Sequence, residues 1–238
     1  MKKRRVGLIL PSVNIHMEPE FNRLRDVLPD IDYFATRVML TDTTEETLVE
    51  MESGLDSAAR LIATVTPEAV IYACTSGSFI KGAEWDEQIM EKIMRICHCP
   101  AVTASRAMVN ALKAMGIKRL TLVTPYTDDI NQQEKRFIEK MGVEVVAMEG
   151  LQIVGAETLR TQTEEQMMEL AARADVSRSQ AVFISCTNVE GMYIAERLEK
   201  KLGKPVLSSN SVCLWNLLKL LHHNRPLNGF GVLLEQRV

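Results

Sequence analysis

The sequence predicts an α/β fold of two pseudo-symmetric lobes, each a short and mainly parallel sheet flanked by helices, with a cleft between them. The first reason is that short apolar runs alternate with longer helical segments, which is typical of parallel strands joined by helices. The second is that three motifs recur in the same order at offsets of 105 to 114 positions. Because this spacing is far longer than a solenoid repeat, it indicates two similar lobes.

The duplicated motifs each combine an apolar run with polar residues that follow it. In chain order the pairs are 5–14 and 119–126, 70–78 and 182–188, and 100–105 and 205–210. The middle pair carries one cysteine in each repeat, Cys74 and Cys186, and a threonine follows each of them. A fold built from two such halves brings the two thiols to face each other across one cleft.

Eight apolar runs are predicted as strands, and runs of this kind suit strands that are covered on both faces: 6–10, 69–73, 101–103, 120–124, 143–148, 181–185, 205–207 and 231–234. Helices are predicted between them from capping-box patterns and terminal glycines: 43–64, 108–115, 132–141, one opened by Thr163 and Gln166, and 190–202. The last strand has no counterpart in the second repeat, so it is predicted to return to the first lobe. The predicted lobes are 1–112 plus 212–238, and 113–211.

Length and composition exclude several classes of protein. The 238 residues suffice to bury a proper core, and a net charge of −3 provides no basic field for nucleic acid. No apolar run approaches the ~20 residues of a membrane span. The basic start is followed by fewer apolar residues than the roughly 7–15 of a signal peptide. Five cysteines, an odd count, favour reduced thiols and a cytoplasmic location. The oligomeric state stays open, with a homodimer as one alternative.

A ring of polar residues is predicted at the carboxyl ends of the strands, where parallel sheets bind their ligands. Its members are Ser12, Asn14, 74–78, Thr103, Ser105, Thr124, Tyr126, 186–188 and 208–210. The ring is rich in hydroxyls and almost uncharged, so it suits a carboxylate held by neutral donors and backbone N–H groups. The candidate substrate-binding residues are Asn14, Thr75, Ser76, Tyr126, Thr187 and Asn188. The alternatives are that Asn14 stabilises a turn or caps a helix, and that Tyr126 is a turn residue.

Cys74 and Cys186 are the candidate catalytic residues. A single free cysteine is commonly just a small buried residue, but an equivalent pair favours catalysis. A helix N-terminus at each position is expected to lower the thiol pKa from its usual value of about 8.5. One thiolate can take a proton beside a carboxylate while the opposite thiol delivers one, or it can add to a C=C bond and leave after rotation.

Other chemistries find little support. Cys97-His98-Cys99 has metal-binding residue types, but it lacks a second pair of ligands at a spacing that zinc uses. A Cys–His hydrolase is not expected, because no histidine falls at a strand end opposite a cysteine; His16 comes nearest. Glycine-rich nucleotide motifs and a C-x-x-C motif are missing. No metal and no cofactor are predicted.

These motifs resemble the aspartate/glutamate racemase superfamily, in the branch of maleate cis-trans isomerases, arylmalonate decarboxylases and ectoine-utilisation racemase-like proteins. The likeness covers nearly the whole chain and is carried by 11–14, 74–78, 124–126, 185–188 and 205–210. It implies a cofactor-independent enzyme with its active site between two lobes. The ectoine-type proteins look closest around 74–77 and 186–187.

The two enzyme types of this branch differ from the chain at matched positions. Decarboxylases resemble it at Thr75-Ser76 but carry a glycine in place of Cys74. Isomerases keep both cysteines, lack the Thr75-Ser76 pair, and have an asparagine near the loop that reads Gly155-Ala156 here. We therefore expect a two-cysteine isomerase of a small carboxylate or dicarboxylate, either a maleate cis-trans isomerase or a racemase of the aspartate/glutamate type. The alternatives are an arylmalonate decarboxylase-type carboxy-lyase and a carboxylate-binding protein without turnover.

Overall fold

A computed structural model of the chain describes residues 3–155, 158, 161–223 and 225–236. Two four-stranded parallel sheets form its framework, with strand orders β2-β1-β3-β4 and β6-β5-β7-β8. The strands are β1 Arg4–Pro11, β2 Ile31–Val38, β3 Ala69–Tyr72, β4 Ala101–Thr103, β5 Arg119–Thr124, β6 Glu144–Gly150, β7 Ala181–Ile184 and β8 Val206–Ser208. The identical strand order of the two sheets confirms the predicted duplication and the α/β fold.

Helices connect the strands and cover the sheets. They are α1 Met17–Arg23, α2 Glu45–Glu50, α3 Leu55–Ala63, α4 Thr75–Phe79, α5 Ala83–Cys97, α6 Ala104–Ala114, α7 Asp128–Lys140, α8 Glu164–Ala174, α9 Ala195–Leu202, α10 Ser209–Leu220 and α11 Val232–Glu235. Short 3-10 turns extend α1 at Leu24–Asp26 and link α2 to α3 at Met51–Gly54. Among the described residues, no helix is long and apolar enough to cross a membrane.

The two inner strands that lead to the cysteines are β3 and β7. Both consist of four buried apolar or aromatic residues, because helices cover both faces of each sheet. Each lies between the first strand of its lobe and the fourth, so its carboxyl end opens at the middle of the sheet edge. The residues that follow β3 and β7 are therefore directed towards the space between the lobes.

One predicted strand was wrong, and one strand of the structure was missed. The strand expected at 231–234 is the short helix α11, which contacts α10 and β8. The edge strand β2 was missed, because four of its eight residues are half-buried, two are exposed, and it lacks a continuous apolar run. Of the capping boxes, the one at Thr163 is present as predicted, whereas the earlier one forms on Thr44 with Thr47 rather than on Thr43.

The helix that follows the second sheet reaches back to the first lobe. α10 packs along α6 and also contacts β3 and β4 of the first sheet. Ten of its twelve residues are buried, so it forms part of the seam between the lobes. The domain division at 112 and 212 stays a prediction.

Candidate active site

Cys74 lies at the turn between β3 and α4. Its backbone is extended, with φ −136° and ψ 105°, and its Sγ accepts the backbone N–H of Gly77 at 3.3 Å. The hydroxyl of Ser76 lies 3.8 Å from the same sulfur. Two donors therefore converge on the Cys74 sulfur from the first turn of α4, where they can stabilise a thiolate.

Gly77 is required for space beside this sulfur. A Cβ at this position would lie 2.6 Å from Cε of Met51, 3.0 Å from Sγ of Cys74 and 3.2 Å from the Tyr72 hydroxyl. The glycine sits inside α4 and has no positive φ, so the backbone conformation does not require a glycine here. Its hydrogen atom instead lets the helix approach the Cys74 thiol.

Cys186 follows β7 in an unusual backbone conformation. Its φ is +95°, a region that costs a non-glycine residue conformational energy. The Sγ accepts the backbone N–H of Asn188 at 3.3 Å, and the N–H of Cys186 itself donates to Oγ of Ser209 at 3.1 Å. The strained corner is thus held by hydrogen bonds on both sides of the thiol.

Tyr126 brings the two cysteine turns into one site. Burial is the main cause that raises the pKa of Tyr126, and the negative charges of the Cys186 and Cys74 thiolates raise it further, so its hydroxyl lies near both sulfurs. Its ring packs edge-on against Phe79 of α4, with centroids 6.4 Å apart. One tyrosine of the second lobe therefore lies against both cysteine-bearing turns.

All eight predicted site residues are buried, and none is more than 7% exposed: Asn14, Cys74, Thr75, Ser76, Tyr126, Cys186, Thr187 and Asn188. Burial raises the pKa of the Cys74 thiol to about 11, against the hydrogen bonds from Gly77 and Ser76. Burial likewise raises the pKa of Cys186 to about 12. The expected lowering by a helix N-terminus was wrong, because desolvation outweighs the nearby donors. Both thiols are protonated near neutral pH.

Three of the predicted substrate-binding residues join the lobes. Asn14 donates to Oγ1 of Thr187 at 3.1 Å, and Thr187 donates to the carbonyl of Ala73 at 2.8 Å. Asn188 accepts the N–H of Ile15 at 2.8 Å and donates to a carbonyl of the same turn. The side-chain oxygen of Asn14 also accepts two backbone N–H groups at the start of α1, as in the alternative of a helix cap. Their contact with a substrate stays a prediction.

Thr75 is linked to a residue that the sequence analysis did not single out. Its hydroxyl donates to Oγ of Ser209 at 2.8 Å, the same oxygen that accepts the N–H of Cys186. Ser209 was visible only as one member of the strand-end ring. Its position after β8 was the available signal, but its contacts with two other motifs depend on how the lobes meet.

Two buried carboxyls near the seam were also missed. Glu20 accepts the N–H of Met192 at 3.0 Å and a hydrogen bond from Asn210. Glu134 accepts the hydroxyl of Ser185, the neighbour of Cys186, at 2.6 Å, while its second oxygen has no partner among the described residues. Burial raises the pKa of each carboxyl to about 8. The sequence signal was available for Glu134, which occupies a buried position on the apolar face of α7.

Glu134→Gln is expected to reduce the loss of stability with rising pH. The folded-state pKa of about 8 lies above the ordinary 4.5, so the folded protein holds this proton more tightly than the unfolded chain does. The resulting stability is fully present below about pH 4.5 and is lost as the pH rises through about 8, by up to about 1.4 kcal/mol per pH unit. Denaturant unfolding between about pH 6 and pH 8.5 measures the slope.

The matched control is Glu139→Gln, which neutralises an exposed carboxylate on the same helix. This variant should retain the wild-type slope. Glu134→Gln should keep roughly half of it, because Glu20 still titrates in the same window. Equal slopes in the two variants would contradict the assignment of the proton to Glu134.

The Cys97-His98-Cys99 segment lies away from this site, at the end of α5. The Cys97 thiol donates to the carbonyl of Ala59 at 3.5 Å, and His98 adopts the left-handed conformation that ends the helix. Within the described parts of the chain, no cluster of three His, Cys, Asp or Glu residues could hold a metal ion.

Comparisons with known proteins match the chain along nearly its whole length. The model of the arylmalonate decarboxylase family matches residues 6–234. A maleate isomerase of Geobacillus stearothermophilus is 24% identical over 246 residues, covering 98% of each chain. An arylmalonate decarboxylase of Bordetella bronchiseptica is 27% identical over 237 residues, covering 97% of this chain and 96% of the relative.

The fold is also similar to that of a solved structure of a maleate isomerase. A solved structure of a Nocardia farcinica maleate cis-trans isomerase, a cysteine-to-serine mutant with a covalently bound succinylcysteine intermediate, superimposes with a TM-score of 0.94. It is 24% identical and covers 99% of each chain. The family model spans both cysteine turns, both sheets and the seam helix α10. The chain therefore belongs to the arylmalonate decarboxylase family, and it is similar to both an arylmalonate decarboxylase and a maleate isomerase.

Proposed function

We propose that this chain is a maleate cis-trans isomerase in which Cys74 and Cys186 act together on one dicarboxylate. The observation that carries the proposal is the second cysteine. A decarboxylase needs a single proton donor to quench its carbanion, whereas two thiols at equivalent strand ends supply both a nucleophile and an acid. The full-length similarity to maleate isomerases supports the same choice.

Cys74 is proposed as the nucleophile. The N–H of Gly77 and the hydroxyl of Ser76 are directed at its sulfur, where they can stabilise a thiolate. Once deprotonated, the Cys74 thiolate forms a bond to C2 of maleate, and the C=C electron pair moves to C3 and its carboxylate. The covalent succinylcysteine in the Nocardia structure supports a thioether of this kind.

Cys186 is proposed as the acid and then the base. Its thiol delivers a proton to C3, which leaves a single C2–C3 bond free to rotate and a thiolate on Cys186. After rotation the Cys186 thiolate removes the proton from C3, and the C2–S bond breaks to release fumarate and the Cys74 thiolate. The proton that Cys74 loses before the addition passes to solvent and returns from solvent when the released thiolate is reprotonated. Each thiol therefore returns to its starting state, and atoms, charges and electrons balance.

Neutral donors are proposed to stabilise the charge that develops on the substrate carboxylate. The hydroxyls of Thr75, Ser76 and Tyr126 lie next to the two cysteines in a buried site. Hydrogen bonds to an oxyanion are strong where water is excluded. An uncharged cradle also permits release of the dianionic product, which a buried arginine would hold.

A decarboxylase is the second candidate. The Thr75-Ser76 pair is shared with the decarboxylases that the sequence resembles, and the Bordetella relative is an arylmalonate decarboxylase. In that reading Cys186 alone protonates the enolate, and Cys74 stands where those enzymes carry a glycine. Racemisation at a carbon beside a carboxylate would use both thiols without forming a thioether.

Proton NMR of the purified protein with maleate in deuterated water tests the proposal. We expect the maleate signal to be replaced by that of fumarate, with no release of carbon dioxide from an arylmalonate. Aspartate and glutamate of a single hand should keep their optical activity and exclude deuterium from the α position. Carbon dioxide release without any fumarate would assign the chain to the decarboxylases instead.

The kcat/KM of the enzyme for maleate is expected to rise with pH. Because the Cys74 thiol has a pKa of about 11, the thiolate fraction below that value grows about tenfold for each pH unit. We therefore expect kcat/KM for maleate to increase with that slope from about pH 7 to pH 9, and alkylation of Cys74 by iodoacetamide to follow it. A flat profile in both measurements would show that Cys74 is already ionised before maleate binds.

A further inference from the structure

We infer that Ser209 is a positioning residue that joins the two cysteine turns through one hydroxyl, an inference that rests on the proposed function. Ser209 is the first residue of α10 and is fully buried. Its Oγ accepts the backbone N–H of Cys186 at 3.1 Å and the hydroxyl of Thr75, the neighbour of Cys74, at 2.8 Å. One oxygen atom thus contacts the segment of each thiol.

The first role of Ser209 is to hold the backbone of Cys186. This residue has φ +95°, a strained conformation that persists only where its surroundings enforce it. The preceding residue is tied to β5, since the N–H of Ser185 donates to the carbonyl of Val123 at 2.8 Å. The hydrogen bond to Ser209 fixes the next N–H, which would otherwise be buried without an acceptor. It therefore sets the direction in which the Cys186 thiol points.

The second role concerns the hydroxyl of Thr75. In the structure this hydroxyl donates to Ser209, and a proton in that hydrogen bond is not available to a substrate. The proton of Ser209 itself has no acceptor among the described residues. Two hydroxyls 2.8 Å apart can exchange donor and acceptor by rotation of their O–H bonds alone. Ser209 can then donate to Thr75, whose proton turns to a substrate carboxylate, while Ser209 still accepts the N–H of Cys186.

The duplicated fold shows that this hydroxyl is specific to one lobe. The position equivalent to Ser209 in the first repeat is Ala104, the first residue of α6. The next position makes an equivalent hydrogen bond in both repeats. Ser105 donates to the carbonyl of Thr75 at 3.0 Å, and Asn210 donates to the carbonyl of Thr187 at 3.3 Å. Ser209 therefore breaks the symmetry of the two halves, as different roles for the two thiols require.

The test compares Ser209→Ala with Thr75→Val, the double variant and the control Ser179→Ala. Ser179 is a buried serine of the same lobe whose hydroxyl bonds Asp175 rather than a cysteine turn. We expect Ser209→Ala to lower kcat for maleate roughly ten- to hundred-fold with little change in KM, as for loss of a buried hydrogen-bond partner. Ser179→Ala should stay within about twofold of wild type, as expected for a substitution away from the site.

Two further measurements distinguish a positioning role of Ser209 from a contribution to protein stability alone. Amide hydrogen exchange of Cys186, followed by NMR, should become at least about tenfold faster in Ser209→Ala and stay unchanged in Ser179→Ala. The double variant should lose less kcat than the product of the two single effects, because Ser209 acts through Thr75. Unchanged exchange at Cys186, or single effects that simply multiply, would overturn the inference. If wild type does not convert maleate, the proposed function fails, and the exchange measurement alone decides the role of Ser209.

Discussion

Cys74→Ser is expected to reduce kcat for conversion of maleate to fumarate on the order of 10³-fold, which corresponds to about 4 kcal/mol of transition-state stabilisation. A serine hydroxyl has a far higher pKa than a thiol and is a poor nucleophile without a dedicated base. The nearest donors, Gly77 and Ser76, can stabilise an anion here but cannot accept its proton. Steady-state kinetics by NMR or by the absorbance of fumarate measures the loss.

Cys97→Ser is the matched control for this variant. Cys97 is a buried cysteine outside the site, and a serine there keeps a donor for the carbonyl of Ala59. We expect near-normal turnover in Cys97→Ser and similar thermal midpoints for both variants. Wild-type conversion of maleate in Cys74→Ser would remove this thiol from the mechanism.

Cys186→Ser is expected to abolish repeated turnover while still allowing one addition. A serine hydroxyl can slowly supply the proton that C3 needs, but it is a poor base for taking that proton back. The thioether on Cys74 should therefore accumulate. We expect kcat to fall on the order of 10³-fold, with consumption of about one maleate per chain. Rapid quench followed by NMR of the remaining maleate measures both quantities.

Thr187 offers a control that perturbs the same turn without touching a thiol. Thr187→Val removes a hydroxyl that links the lobes through Asn14 and Ala73. We expect this variant to lose stability but not to accumulate bound maleate. If Cys186→Ser instead retained multiple turnovers, the proton would have to come from another group, and Tyr126 beside Cys186 would be the next candidate.

The architecture could be predicted from the sequence because each pattern that indicates a buried element lies within a short segment of the chain. The apolar runs at β3 and β7 are continuous, the capping box at Thr163 is intact, and the paired cysteine motifs are equivalent. A polar edge strand such as β2 carries no comparable pattern, and the apolar residues of α11 are too few to distinguish a strand from a helical turn. Periodicity therefore identified the buried elements and failed at the edges.

The candidate site was only partly accessible from the sequence. The cysteines and Tyr126 could be identified from their positions at predicted strand ends. In the structure they lie together in one buried site. The pKa of each thiol depends on how deeply the folded chain buries it. No local motif contains that information, so the expected direction of the pKa shift was wrong. The link through Ser209 likewise requires the relative placement of three motifs from two lobes.

Peptide mapping of Cys186→Ser after incubation with maleate is the most direct test of the two-thiol mechanism. We expect a thioether adduct of one maleate on the peptide that contains Cys74, with Cys97, Cys99 and Cys213 unmodified. Unfolded protein treated in the same way controls for nonspecific addition. An unmodified Cys74 in a variant that still forms fumarate, or adducts confined to the other cysteines, would contradict the two-thiol mechanism.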